Sequence, residues 1–339
     1  MIGIRVDGNR YIGMGHISRC LSIASALRRM NEKITFICSS DSLVEEIISH
    51  HFQVIKVPHS KYDNWEICEE QECIQSNDIS ILFIDSFYVT ETNLEIIHKL
   101  TKVVYLDDLQ LYDYDVDAII NYNIDAVDAM YSSSSYPFRR LCLGIRYFPL
   151  KESLYFKEKK KLNKVVKTVL ITTGSTDPCH CMHKILSDLN IRSYCDIKFY
   201  AIIGLFYESN YRNFLSEKHR DKKNLVFLNW GQNMKKIYSD SDIVISPGST
   251  TIYESLSIGV PCISFQFVDN HHEECIALDK FGLVPFAGDY SEESDNICIG
   301  KLFEAELDYT TRKIQYDKFV SWFDGNGANR IAEIIRSLL

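Results

Sequence analysis

Apolar runs of strand length alternate with segments whose apolar residues recur at helical spacing, and this rhythm occurs twice along the chain. Residues 2–6 form a short β-rich run. After it, residues 17–30 place Ile17, Cys20, Leu21, Ala24 and Leu27 on one helical stripe. Strands are expected at 33–38, 53–57, 79–84, 102–106 and 117–121, with helices near 42–49, 65–75 and 91–100. The strand runs are nearly all apolar rather than alternating, as a parallel sheet covered on both faces requires. At 147–163 the rhythm breaks: Phe148-Pro149-Leu150 precedes the charged run Lys157-Glu158-Lys159-Lys160-Lys161, which reads as a linker or an exposed helix end. It resumes with strands at 165–173, 197–203, 224–228, 242–246 and 261–265, and helices near 209–219, 234–238, 250–258 and 272–281. Residues 292–339 read as mostly helical, with a break at Asp324-Gly325-Asn326-Gly327. The expected fold class is α/β: two Rossmann-like, doubly wound domains, 1–150 and 151–339, facing each other across a cleft. Ligands of such sheets sit at the carboxyl ends of strands, so the loops there carry function.

Charge narrows the class of partner. Lys and Arg total 37 against 46 Asp and Glu, a net charge of −9. A general nucleic-acid binder needs a basic face to replace phosphate counterions, so nucleic acid is not an expected partner. A local cationic pocket for one nucleotide is still compatible with this balance. No run of ~18 apolar residues suggests membrane insertion. The first residues, Met1 to Asp7, lack a signal-peptide layout, and a cytosolic location is expected. The 11 cysteines lack framework spacing and read as thiols.

Three glycine-bearing turns each join an expected strand to an expected helix. The first is Asp7-Gly8-Asn9-Arg10-Tyr11-Ile12-Gly13-Met14-Gly15-His16. Gly13 and Gly15 permit close backbone approach, and the helix start offers free N–H groups and a positive dipole end. Ser18 occupies the third position of a dinucleotide fingerprint, and no P-loop lysine follows. At a helix start the dipole disfavours protonated imidazole, which suits His16 to act as a base. A histidine there can also simply hydrogen-bond a neighbouring loop.

The second turn is Thr173-Gly174-Ser175-Thr176-Asp177-Pro178; the third is Ser246-Pro247-Gly248-Ser249-Thr250-Thr251, with Glu254 one turn into its helix. Hydroxyls and amides converging at a helix start suit a diphosphate, and a carboxylate at Glu254 can accept both hydroxyls of a ribose. The same residues would serve equally as an N-cap and a surface acid. Cys179-His180-Cys181-Met182-His183 cannot aim four side chains at one ion from a single turn, and adjacent histidines in His271-His272-Glu273-Glu274-Cys275 diverge by about 100°. No metal site is expected. Asn270 or His271 better suits a substrate contact, and Asp107-Asp108, which could bind a cation at a strand end, more often caps backbone groups there. Serine-hydrolase and metalloprotease motifs are absent.

Several of these motifs together resemble the PseG/SpsG family, the UDP-sugar hydrolases of pseudaminic acid biosynthesis. Arg5-x-Asp7-Gly8, Ile12-Gly13-x-Gly15-His16 and Arg19-Cys20-Leu21 resemble its opening. Ile84-Asp85, Leu106-Asp107-Asp108, Asn121-Tyr122-Asn123, Leu143-Gly144 with Arg146-Tyr147, Gly174-x-Thr176-Asp177-Pro178, Ser246 to Glu254 and Asp269-Asn270 follow in family order. The tail Asp324-Gly325-x-Gly327-Ala328-x-Arg330-Ile331 resembles the family's ending, so the likeness runs the whole length.

The resemblance implies a glycosyltransferase-B-like fold related to the MurG transferase. It also implies hydrolysis of UDP-2,4-diacetamido-2,4,6-trideoxy-β-L-altropyranose to free sugar and UDP, with inversion, no metal and no cofactor. His16 would be the base, joined in catalysis by Asn270 and Tyr88. The nucleotide sugar, the expected small-molecule partner, would be bound by Asp7, Gly13, Gly15, Gly174, Ser175, Gly248, Ser249, Thr250, Thr251, Glu254, Asp269 and His271. The chain departs from the family where Asp85-Ser86-Phe87-Tyr88 stands for Asp-His-Tyr-Gly, where Gly174-Ser175 and Gly248-Ser249 stand for paired glycines, and where Asn270-His271 stands for Asn-Gln. A different UDP-sugar, a transfer reaction to another acceptor, or nucleotide-sugar binding without catalysis are the alternatives.

Overall fold

The computed structural model of the protein describes residues 1–111, 114–131, 139–155, 158–231, 234–291 and 298–339, except for the side chains of Ala129 and Asn270. Lys157 of the charged run and residues 292–297 of the expected helical tail lie outside the described residues. The chain divides into two compact units, one of Met1–Glu152 with Asp324–Leu339, the other of Ser153–Phe323.

The first unit runs β1 (Ile2–Val6), α1 (Gly15–Arg29), β2 (Ile34–Ser39), α2 (Glu45–Ser49), β3 (Gln53–Val57), α3 (Ile67–Ser76), β4 (Ile81–Asp85), α4 (Glu91–His98), β5 (Lys102–Leu106), β6 (Ala118–Asn121) and β7 (Arg140–Leu143). Its sheet has seven parallel strands in the order β3-β2-β1-β4-β5-β6-β7. Every residue of β1 and of β4 is buried, which explains their unbroken apolar character. The chain winds outward from β1 to β3, then returns to lay β4 against the other edge of β1. The carboxyl ends of β1 and β4 therefore flank the point where strand order reverses, the usual place for a ligand in an open α/β sheet.

The second unit comprises β8 (Thr168–Ile171), α5 (Cys181–Asp188), β9 (Lys198–Ile203), α6 (Ser209–Lys218), β10 (Leu225–Asn229), α7 (Met234–Asp240), β11 (Ile243–Pro247), α8 (Thr250–Ile258), β12 (Cys262–Gln266), α9 (His272–Lys280), β13 (Phe286–Asp289), α10 (Ile299–Glu306) and α11 (Tyr309–Phe319). Its six strands are parallel in the order β10-β9-β8-β11-β12-β13, so the reversal here falls between β8 and β11. The fold class is the expected one.

Two edge strands, β7 and β13, have no counterpart in the sequence reading. Each is only four residues long, and β13 contains a glycine, so neither carries a recognisable apolar run. The tail also differs from expectation. Helix α12 (Gly327–Ser337), read from the sequence with the second domain, belongs to the first unit. It buries Ala328, Ile331, Ala332 and Ile335 on one stripe, and Arg330 donates to the carbonyl of Arg146 at 2.8 Å. Gly327 allows the approach: a Cβ there would sit 2.0 Å from the Phe148 carbonyl oxygen.

A buried acid in the second unit gives a stability prediction. Glu306, at the end of α10, is 2% exposed, accepts from Gln315, and has no partner for Oε2 among the described residues. Burial pushes its carboxyl up to about 7, against the opposing pull of Gln315 and Arg312. The native state thus holds a proton that the unfolded chain has released, and stability falls as pH rises from about 4.5 to 7. Glu306→Gln is expected to unfold at higher urea than the parent at pH 8, by roughly 2–3 kcal/mol, with the advantage vanishing near pH 4.

Candidate active site

In the first unit the loop after β1 is built on local hydrogen bonds. Asn9 and Gly13 exchange both backbone bonds, at 3.2 and 2.8 Å, and Gly13 adopts φ 77° to close the turn. Asn9 Oδ1 also accepts from the amides of Tyr11 and Ile12. Asp7 is buried and already engaged: Oδ1 accepts from the Ser39 amide (2.7 Å), and Oδ2 accepts from Arg5 (2.7 Å) and the Ser39 hydroxyl (3.0 Å). Asp7 therefore ties the ends of β1 and β2 together. Gly15 opens α1, whose first turn has no side-chain cap and no acidic residue.

His16 is buried in the first turn of α1, and its Nδ1 lies 2.6 Å from Oδ1 of Asp85, the last residue of β4. Arg19, one turn along the same helix, donates Nε to Asp85 Oδ2 (2.6 Å) and Nη2 to Oδ1 (2.5 Å). Its Nη1 reaches Asp108 Oδ2 at 2.6 Å and the Tyr122 hydroxyl. Burial alone would raise the Asp85 carboxyl, but Arg19 and His16 outweigh it and hold the group well below the usual carboxylate range. The ionised Asp85 carboxylate is thus placed to accept a proton from His16 Nδ1, and Arg19 Nη2 also lies 3.1 Å from that nitrogen. Phe87 packs edge-on against the His16 ring, with centroids 4.5 Å apart. Asp7, Ile12, His16, Asp85, Ser86, Phe87 and Tyr88 line a cavity of about 10 Å³, close to the space one water occupies.

The sequence singles out His16 as a candidate but assigns no role to the groups packed against it. Asp85, Arg19 and Asp108 stand in motifs of the resemblance, in Ile84-Asp85, Arg19-Cys20-Leu21 and Leu106-Asp107-Asp108, with nothing in the sequence to join them to His16. Asp107 does cap: it accepts from the Gln110 amide (2.9 Å) and the Tyr131 hydroxyl (3.1 Å), and burial pushes it up to about 6. Its neighbour Asp108 is instead the second acid on Arg19.

In the second unit both glycine turns follow the strands that flank the reversal. Gly174 adopts φ 86°, and its amide donates to Thr172 Oγ1 at 3.0 Å. The helix after this turn is occupied at its start, since Asp177 accepts from the amides of Cys181 (2.7 Å) and Met182 (2.9 Å) and from the Tyr211 hydroxyl (2.9 Å). The turn after β11 differs. Ser249 stands at the N-cap of α8 in extended conformation, yet its side chain makes no cap bond. Glu254 is no surface acid: it is 6% exposed and accepts from the Tyr238 hydroxyl at 3.1 Å.

Gly248 lies against the segment that starts α9. A Cβ there would meet Cys275 Sγ at 2.5 Å and the His271 carbonyl oxygen at 2.9 Å. His271 sets its ring edge-on to Phe267, and its buried Nδ1 has no partner among the described residues. Burial pushes this imidazole down to about 4, so the ring is neutral at physiological pH. Asp269 is exposed in the same short turn, and the side chain of Asn270 lies outside the described residues. Thus Asp7, His16 and Tyr88 gather in the first unit, while in the second Gly248 lies against His271 and Glu254 bonds Tyr238.

Among the described residues no three His, Cys, Asp or Glu side chains are placed to hold a metal ion. The His and Cys run after Pro178 disperses: His180 stacks on Tyr211, Cys181 is buried, and His183 pairs with His219 at 3.1 Å. All 11 cysteines are free thiols. No described helix is long and apolar enough to cross a membrane.

Residues 168–274 match the glycosyltransferase family 28 C-terminal domain. Among solved structures, that of Acinetobacter baumannii MurG is similar across 99% of both chains, with a TM-score of 0.69 at 12% identity. The fold is glycosyltransferase-B-like. Over 347 residues the chain is 24% identical to the spore coat polysaccharide biosynthesis protein SpsG of Bacillus subtilis, covering 99% of this chain and 98% of that protein. It is 27% identical over 321 residues to the uncharacterized protein MJ1062 of Methanocaldococcus jannaschii, covering 88% of this chain but only 64% of that protein's length.

Proposed function

We propose that the protein hydrolyses a UDP-sugar to free sugar and UDP, with His16 as the base toward water. The observation that carries this reading is the Asp85–His16 pair, whose histidine lines a cavity of one-water size. Nε2 takes a proton from water as its oxygen bonds to the anomeric carbon. The bond from that carbon to the diphosphate breaks, its electrons leave with UDP, and the configuration inverts. UDP is a good leaving group, so a placed water, a base and phosphate donors suffice. Tyr88 and Asn270 complete the proposed catalytic set. Gly13 and Gly15 let substrate approach the backbone of the His16 loop.

Nucleotide recognition is assigned to the second unit. The uncapped start of α8, with the hydroxyls of Ser249, Thr250 and Thr251, suits the diphosphate, and Glu254 suits the ribose. Gly174, Ser175, Gly248, Asp269 and His271 are assigned to the same ligand. The resemblance makes UDP-2,4-diacetamido-2,4,6-trideoxy-β-L-altropyranose the first donor to test, and the relative named for spore coat polysaccharide biosynthesis supports a role in surface-glycan sugar synthesis. Purified protein incubated with this donor should release UDP and free sugar without an acceptor. No release would overturn the reading.

A glycosyltransferase reading is favoured by the family 28 match and by the departures at Ser86, Phe87 and His271. It predicts that UDP appears rapidly only when an acceptor is added. Both readings place Glu254 on the nucleotide. Glu254→Ala is expected to weaken UDP binding by about 10- to 100-fold in calorimetry, the worth of charge-assisted hydrogen bonds, with little change in kcat at saturation. A kinetic defect with unchanged affinity would remove Glu254 from nucleotide recognition.

A further inference from the structure

Three tyrosines stand on turns that follow the carboxyl ends of β1, β3 and β4. Tyr11 sits at the tip of the 9–13 turn, held by the Asn9 side chain, and is 65% exposed. Tyr62 sits in a turn closed by reciprocal backbone bonds between Lys61 and Asn64, its amide donating to Asp41 Oδ1 at 3.2 Å. Tyr88 is 43% exposed, and its amide donates to Ser86 Oγ at 3.2 Å. The rings touch in sequence: Tyr11 lies nearly parallel to Tyr62, with centroids 5.8 Å apart and planes at 12°, and Tyr62 meets Tyr88 edge-on at 5.4 Å. Tyr88 also lines the His16 cavity, so the aromatic surface continues into it. Tyr11 and Tyr88, large aromatic side chains on short, internally bonded turns, are left open to solvent, and Tyr62 between them is half-buried.

We propose that Tyr11, Tyr62 and Tyr88 form a stacking subsite for the pyranose ring whose anomeric carbon His16 serves. A pyranose presents a face of C–H groups bearing slight positive charge, and an aromatic face is negative, so the two attract as the ring leaves water. Polar groups edge the surface for the sugar's hydroxyls and amides: the tyrosine hydroxyls themselves, Arg10, which bonds Tyr11 Oη at 2.6 Å, and the exposed Asp41. An apolar acceptor or a lipid would meet this rim as a penalty. The platform gives the first unit a means to select the sugar that is separate from the grip on UDP. Part of the specificity then resides in residues outside the glycine turns.

This inference rests on His16 acting at a glycosyl centre, and its test is kept separate from turnover. Binding of UDP-N-acetylglucosamine and of UDP is measured by calorimetry for the full chain, for Tyr62→Ala and for Tyr62→Phe. The parent should bind the sugar nucleotide more tightly than UDP. Tyr62→Ala should lose roughly 3- to 10-fold for the sugar nucleotide while UDP stays within twofold, the scale of one aromatic stacking contact. Tyr62→Phe should keep most of the affinity, because the ring face is retained. Equal losses for both ligands, no loss, or a parent that gains nothing from the sugar would each overturn the proposal. If sugar-dependent binding behaves as expected but no donor releases UDP, the hydrolase reading fails and the stacking subsite stands. If UDP is released with the same KM in Tyr62→Ala, the reverse holds.

Discussion

Replacing His16 by alanine is expected to lower kcat for UDP release by roughly 10²- to 10⁴-fold, the usual contribution of a positioned general base. UDP affinity should change little, because the nucleotide contacts are assigned to the second unit. The sharper variant is Asp85→Asn. Arg19 Nε donates to Asp85 Oδ2, so an asparagine carbonyl at that position keeps this bond and puts the NH2 at the Oδ1 position, facing His16 Nδ1 at the loss of the Arg19 Nη2 bond. That reverses the hydrogen bond: Nδ1 must then accept, the proton moves to Nε2, and the lone pair needed for water is lost. Asp85→Asn should therefore approach His16→Ala in steady-state rate while the ring stays in place. Full activity in Asp85→Asn would show that the tautomer set by Asp85 is irrelevant, and full activity in His16→Ala would remove imidazole from the mechanism.

Arg5→Met is expected to destabilise the first unit by about 3–5 kcal/mol in urea unfolding, the cost of breaking a buried ion pair from one side. Arg5 is 0% exposed within β1, and its guanidinium meets Asp7 at 2.7 Å, Glu70 at 2.9 Å and Ser39 Oγ at 2.7 Å, 4.3 Å from the Trp65 ring centroid. Burial by itself weakens such a charge, but Glu70 and Asp7 more than offset it and raise the guanidinium above its usual range. Methionine fills similar space but leaves both Glu70 and Asp7 buried without their cation. The double variant Arg5→Met with Glu70→Leu should recover only part of the loss, since an apolar pair replaces the Arg5–Glu70 charges while Asp7 stays buried without its cation. Additive losses would mean that the two residues act independently. Because Asp7 lines the His16 cavity, Arg5→Met should also depress activity under conditions where the chain remains folded.

The repeating architecture was legible because it is local. Parallel strands buried on both faces need unbroken apolar runs, and the helices between them need a stripe, so both appear as periodicity in short windows. The same holds for the turn that carries His16, since Gly13 at φ 77° and an uncapped helix start depend on neighbouring residues. β7 and β13 escaped because four residues at a sheet edge bury too little to impose a pattern. The direction of α12 escaped because its stripe does not specify which surface receives it; the small Gly327 against the Phe148 carbonyl decided that.

From the sequence alone follow two parallel α/β sheets, the glycine turns at their strand ends, and the identity of the candidate base. Only the folded chain brings β4 against β1, which sets Asp85 beside a histidine 69 residues away and lets Arg19 hold the pair. It also draws the tyrosines after β1, β3 and β4 into one surface, and buries Glu254, which the sequence left open between a ribose contact and a surface acid, as an acceptor from Tyr238. The reason is physical: hydrophobic periodicity specifies that a strand is buried, but strand order is settled by contacts between segments far apart in the chain.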